Sequence, residues 1–216
     1  MLAGIPYTNS LVPIILTLIV DKGLTNPREL CSGLPPNESG YKYTSPTIRL
    51  PDGTYIMESK KIALKLESLH PEPPLHLDSP VLPRVEPILH NIVTCFRPLF
   101  VPLVPRMFLN PASQAHFIPS REKGVGKSLD EFGKGADQGV ENAKPHVKEL
   151  AGVLGEHPEG PFFLGKEVSY VDFVVVGWLR MMARMGVAER IWALDGGSEL
   201  KALYDASAKW LERESH

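Results

Sequence analysis

The chain has 216 residues, 43% of them hydrophobic, enough to bury a sizeable core in one large domain or two small ones. Its 23 Lys and Arg against 25 Asp and Glu leave no basic footprint of the kind nucleic-acid binding requires, so the expected partner is a small molecule. Two cysteines, Cys31 and Cys95, are too few for a disulfide framework and fit a reducing, cytoplasmic compartment; the scattered histidines form no i, i+4 pair, and no metal site is expected.

Leu11–Val20 (LVPIILTLIV) is the most apolar stretch near the N-terminus. It falls far short of the roughly 20 residues a spanning helix needs, contains Pro13 and has no basic segment before it. A buried strand or irregular apolar segment is expected there, with no membrane anchor. Thr44–Leu50 and Thr54–Met57 read as β-branched and aromatic strands joined at Pro51-Asp52-Gly53, because Asp-Gly supplies the positive φ a tight hairpin wants. Glu58–Leu69 follows with apolar residues at 62, 64, 66 and 69 among charges, which predicts an amphipathic helix starting at Glu58 or Ser59. The prolines of His70–Pro80 end that helix and act as a semi-rigid spacer.

From Val81 onward the period is helical, with Pro98, Pro102 and Pro105 expected to end or kink the first helix. A Gly- and charge-rich stretch at 120–139 is read as a solvated, partly mobile loop; its Gly124–Ser128 resembles a phosphate-binding loop only weakly, since Arg121 stands where the first glycine is needed. A second helix is predicted over Gly139–Leu154. The third begins at Ser169-Tyr170-Val171-Asp172, where a hydroxyl at N-cap and a carboxylate three residues on make a capping box, and Val168 with Phe173 a hydrophobic staple. Phe173–Met182 is apolar almost all round, so this helix should be the buried centre of an all-helical domain. Ala188–Leu194 and Ser198–Glu214 would close the bundle around it.

Three elements in order carry a family resemblance: Tyr43–Ser59, with an X-Pro in a strand, then Asp-Gly, then Glu58-Ser59 opening a helix; Pro161–Gly165 (PFFLG); and the SYVD helix start. Together they resemble the glutathione transferase superfamily. The style of Arg97–Arg106 resembles a fungal, ustiloxin-cluster-like branch tied to secondary metabolism and related to bacterial β-etherases. The resemblance implies a mostly helical protein with an α/β thioredoxin-like N-terminal domain over residues 1–70, a proline-rich linker over 71–80 and an all-α glutathione transferase C-terminal domain over 81–216. It also implies glutathione as co-substrate without a separate cofactor, a small hydrophobic electrophile as second substrate, and a homodimer.

The family's functional residues map onto this chain as follows. The bond corresponding to Ser45–Pro46 is cis in the family and turns the backbone of Ser45 toward the cysteinyl part of glutathione. Ser59 would donate to the γ-glutamyl carboxylate at a helix N-terminus, and Glu58 would approach the γ-glutamyl ammonium. Ser169 and Asp172 are assigned a structural role as a helix cap. Ile92, Phe96, Phe100 and Met107 are candidates for an apolar acceptor pocket, although such spacing also suits plain core. No catalytic residue is assigned. Members of the family begin with a strand and helix ahead of the segment that looks like Gly4–Thr8, and the thiol-activating residue ends that first strand; this chain reads as a truncated domain starting after that point. Tyr7 stands on the wrong side of the fold to replace it, and Ser10–Gly23 departs from the family pattern. Two readings follow from this, a transferase and a non-catalytic glutathione transferase-like binding or scaffold protein.

Overall fold

The computed structural model describes residues 46–50 and 52–212. The chain divides into two units, one ending at Leu77 and rejoined by the tail from Trp210, the other running from Asp78 to Lys209.

In the first unit, β1 (Thr47–Arg49) pairs antiparallel with β2 (Tyr55–Met57), Ile48 opposite Ile56. At the turn end each strand is one residue shorter than the sequence suggests, because the turn takes Leu50 and Thr54. Leu50 N–H donates to Thr54 O at 2.8 Å, Gly53 N–H to Leu50 O at 2.9 Å, and Thr54 N–H to Asp52 Oδ1 at 2.8 Å. Gly53 takes φ 90°, the conformation glycine adopts without steric cost.

Helix α1 (Ser59–Leu69) packs on both strands and buries Ile62 and Ala63. Leu66 is half-buried, while Leu64 and Leu69 are 52% and 48% exposed. At about 100° per residue, 62 and 66 share a face and 64 lies nearly opposite it, so the apolar count in this helix overstates its buried stripe. The proline-rich stretch is more than a spacer at its start: Leu75 N–H donates to Glu67 Oε1 at 2.7 Å and folds the strip back toward α1.

The second unit is helical. Helix α2 (Leu82–Phe100) buries Leu82, Val85, Ile88, Leu89, Ile92, Phe96 and Phe100, the i, i+3, i+4 stripe of a core-facing helix. It runs through Pro87 and Pro98 and ends only at Phe100; a turn then leads to α3 (Val104–Phe108), with Pro105 in its first turn, where a missing N–H is harmless.

The stretch read as a loop is largely helical. Helix α4 (Pro111–Val125) starts where Asn110 Oδ1 accepts from Ser113 N–H at 2.8 Å and stops at Gly126, whose φ of 74° supplies a left-handed cap. Helix α5 (Leu129–Gly133) has Ser128 as its N-cap, accepting from Glu131 N–H at 3.2 Å. Gly124–Ser128 is thus a helix end followed by a helix start, not a phosphate loop. No residue of α4 is buried. Replacing Asn110 with alanine should cost about 1 kcal/mol of local helix stability. Amide hydrogen exchange should speed up within α4 while the global melting temperature stays put.

Helix α6 (Ala136–Leu154) lies along α2, the most extensive helix pairing in the unit. Their backbones meet closely at Gly139, where an added Cβ would run into the carbonyl oxygen of Cys95 and touch the Pro98 ring. Helix α7 (Tyr170–Arg184) buries Tyr170, Val171, Asp172, Phe173, Val175, Val176, Trp178, Leu179 and Met182, which makes it the centre of the unit. The Trp178 ring meets Phe96 of α2 edge-on, centroids 5.6 Å apart. Helices α8 (Glu189–Trp192), α9 (Gly197–Ala206) and α10 (Ala208–Leu211) follow. The single helix expected over Ser198–Glu214 is broken at Ser207, where the buried hydroxyl donates to Leu203 O at 2.8 Å.

Candidate functional site

The hairpin register decides which of the candidate residues meet. Thr47 pairs with Met57, so the next position outward sets Pro46 opposite Glu58 at the open end of the hairpin, away from the Asp52–Gly53 turn. Pro46 is buried there and Glu58 half-buried. Ser59 is the first residue of α1 and is also half-buried. Three of the four residues assigned to glutathione therefore cluster at one corner, where a strand hands over to a helix. Ser45 and the bond joining it to Pro46 lie outside the described residues; among those described, the cis peptide bond is Glu72–Pro73.

Glu58 carries the strongest local signal. Its φ is 72° and ψ 115°, a left-handed conformation that a residue with a side chain adopts at a cost of about 1–3 kcal/mol. Glycine would take that position freely. Such strain persists where a backbone must be aimed, and here it turns the chain out of β2 into the first turn of α1. The Glu58 side chain makes no capping hydrogen bond to α1, and the first turn of the helix holds no acidic residue. The N–H groups and positive dipole of that turn are suited to a carboxylate supplied from outside the helix.

Around Asp172 the structure places a buried polar knot. Ser169 N–H and Ser169 Oγ both donate to Asp172 Oδ2 at 2.7 Å, in a capping box with Asp172 at N3. The other oxygen, Oδ1, accepts from Phe163 N–H at 2.9 Å, which the sequence reading did not anticipate. The segment containing Phe163 is a tight turn in which Phe162 and Gly165 exchange backbone hydrogen bonds at 3.0 and 2.9 Å. Asp172 thus ties this turn to the start of the central helix. Ser169 and Asp172 are both fully buried. Burial pushes the Asp172 carboxyl above its ordinary value, against the hydrogen bonds from Ser169 and Phe163, which hold it down.

The proposed acceptor-pocket residues separate. Ile92 and Phe96 are completely buried and Phe100 nearly so, as packed core, while Met107 is 46% exposed. Cys95 is half-buried, and burial pushes its thiol up, away from the thiolate a nucleophile needs. Cys31, Tyr7 and the Leu11–Val20 segment lie outside the described residues. Among the described residues no group of three or more His, Cys, Asp or Glu side chains is placed to hold a metal ion, and no helix is long and apolar enough to cross a membrane. A shallow cavity of about 440 Å³ is lined by Lys144, Pro145, Lys148, Ala193, Leu194 and Asp195, but its lysines are engaged, Lys148 with Asp195 at 2.8 Å and Lys144 with Glu141 at 2.6 Å.

Comparison with known proteins places this arrangement. A glutathione transferase-like protein of Aspergillus flavus, ustS, is 28% identical over 243 aligned positions that cover 97% of this chain and 80% of the relative. The glutathione transferase CsGST63524 of Ceriporiopsis subvermispora, solved in complex with glutathione, shares the fold with a TM-score of 0.72 at 20% identity, over 95% of this chain and 91% of its own. GSTFuA2 of Phanerochaete chrysosporium does so with a TM-score of 0.74 at 18% identity, over 95% and 90% of the two chains. The thioredoxin-like hairpin and helix followed by a helical bundle are therefore the glutathione transferase fold. The family described as glutathione S-transferase, C-terminal domain, matches residues 86–210, more than half of the sequence, and the chain belongs to the glutathione transferase superfamily.

Proposed function

We propose that this protein binds glutathione at the open end of its hairpin and transfers the thiol to a small electrophilic or aromatic compound, as a cytoplasmic homodimer serving secondary metabolism. The observation that carries the reading is Glu58, whose positive φ aims the chain into the first turn of α1 beside Pro46 while its own side chain makes no capping hydrogen bond there. In this reading the Ser59 hydroxyl and N–H donate to the γ-glutamyl carboxylate, where the helix dipole also favours an anion. The Glu58 carboxylate approaches the γ-glutamyl ammonium, and the backbone before Pro46 receives the cysteinyl portion. Glutathione is then the co-substrate, with no separate cofactor. The Ceriporiopsis protein of the same fold, solved with glutathione, supports the ligand.

Conjugation asks for one thing more. A thiol with a pKa near 8.5 is mostly protonated at neutral pH, so a positioned donor must stabilise the thiolate as it attacks the electrophile. Cys95 does not supply one.

Ser59→Ala tests the binding reading. The loss of a charge-assisted hydrogen bond should weaken retention on immobilised glutathione by about ten- to a hundredfold, with helical content unchanged by circular dichroism. Retention equal to wild type removes Ser59 from the site. A conjugation assay on the retained wild-type protein separates the two functional readings: turnover identifies a transferase, and retention without turnover a binding or scaffold protein.

A further inference from the structure

Two Asp-Gly pairs occur in the chain, Asp52-Gly53 and Asp195-Gly196. At such a pair the glycine nitrogen can attack the carboxyl carbon of the preceding aspartate, because glycine has no side chain to obstruct the approach. The glycine N–H proton and the carboxyl hydroxyl leave together as water, and a five-membered succinimide closes. Water then reopens the ring. Where it adds at the former main-chain carbonyl, the original peptide bond breaks and the chain continues through Cβ and Cγ as isoaspartate, at unchanged mass and without any oxidant or second reactant.

The structure sets the two pairs in opposite surroundings. Asp52 is exposed at the tip of a hairpin whose strands have three residues each. There Gly53 N–H donates to Leu50 O at 2.9 Å and Asp52 Oδ1 accepts from Thr54 N–H at 2.8 Å. While these bonds are made, the nitrogen is tied. The Thr54 N–H also holds the Asp52 carboxyl below its ordinary value, and an ionised carboxylate has no hydroxyl to lose. Both restraints belong to one short turn, of the kind that opens locally at small cost. Asp195-Gly196 is wedged instead. Asp195 pairs with Lys148 at 2.8 Å, and Gly196 is buried so closely on α6 that an added Cβ would stand 2.7 Å from Ala151 Cβ and 3.0 Å from Val147 O. Bringing the Gly196 nitrogen onto the Asp195 carboxyl requires this loop to lift off α6, where Val147 is completely buried.

We propose that Asp52 is a site of isoaspartate formation in the folded protein, gated by opening of the hairpin tip, and that Asp195 is spared by its packing on α6. The product carries one more backbone carbon at the tip. The bonds among Leu50, Asp52, Gly53 and Thr54 then cannot re-form in the same register, so a converted hairpin stays loosened.

Peptide mapping of the full chain tests this. The protein is aged at a mildly acidic pH that leaves its helical circular dichroism intact, and in parallel in guanidinium chloride at the same pH. Trypsin then releases Leu50–Lys60 and Ile191–Lys201, whose isoaspartyl forms separate from the aspartyl forms by chromatography at equal mass. Each site's rate in the folded chain is divided by its own rate in denaturant, which cancels intrinsic differences between the two sequences. The quotient for Asp52 should exceed that for Asp195 by at least about tenfold, because the two openings differ in cost. Equal quotients, including conversion of neither site in the folded chain, would overturn the proposal, as would faster relative conversion of Asp195.

Discussion

Asp172→Ala should destabilise the protein by about 3 kcal/mol, read as a lower midpoint in urea with little change in glutathione retention by the fraction that stays folded. The helix cap and dipole alone would suggest about 1–2 kcal/mol. The larger figure comes from Phe163: alanine leaves both the Ser169 and the Phe163 N–H buried without their acceptor, at about 1–3 kcal/mol for each orphaned group. The variant should also loosen the turn around Phe162 and Gly165. Loss of glutathione retention with wild-type stability would show that Asp172 serves the ligand instead. Its pH dependence has a definite sign. Because the folded-state pKa is raised above the ordinary 3.8, the stability linked to this proton is fully present below that value and is lost as pH rises through the folded-state pKa. Acid unfolding of the protein is then not driven by Asp172. Asp172→Asn, which cannot titrate, should fall furthest behind wild type at the acid end of that window.

Gly139→Ala and Gly152→Ala should move stability in opposite directions although both lie inside α6. Alanine is the better helix former by about 1 kcal/mol, and at Gly152 a side chain would meet nothing within 4 Å, so that variant gains most of this amount. At Gly139 the new methyl would overlap the Cys95 carbonyl, a backbone atom of α2 that cannot rotate away. Helices α2 and α6 must then part. Overpacking of this kind costs about 1–3 kcal/mol and occasionally more, enough to outweigh the propensity gain. Thermal melts of the two variants side by side would measure the difference. A stabilised Gly139→Ala would mean that α2 and α6 can separate at little cost.

Features that depend on near neighbours in the chain were open to reading, and those that depend on distant partners were not. The hairpin, the start of α1 and the buried helix beginning after Ser169 rest on turn residues, capping spacing and apolar runs, all within a few positions. The third hydrogen bond to Asp172 comes from Phe163, nine residues earlier across a turn, and no periodicity announces it. Helix α4 escaped notice for a different reason. Its apolar residues follow no stripe, because none of them is buried, so only the Asn110-Pro111 start and the Gly126 stop marked it. Of the prolines expected to end or kink the first helix, Pro98 sits inside α2, as does Pro87, in a helix whose buried face from Leu82 to Phe100 outweighs the hydrogen bonds they omit, and the helix ends just ahead of Pro102. Of the candidate site, Pro46, Glu58 and Ser59 were recognisable as a motif, but the positive φ of Glu58 is a backbone property that its side chain gives no hint of.

Helix α4 also bears on how the sequence can change over time. A segment of 15 residues that is capped at both ends and has no fully buried residue makes few demands on its side chains beyond Gln114, which donates to Pro105 O and Leu109 O, and Glu122, which accepts from Leu129 N–H. Selection for folding acts weakly at its exposed positions, so lineages can rewrite those positions without disturbing the α2, α6 and α7 core. The same freedom makes it a natural place to graft a foreign peptide or a fluorescent domain. New specificity in this protein's descendants can begin on α4, where a change costs the fold least.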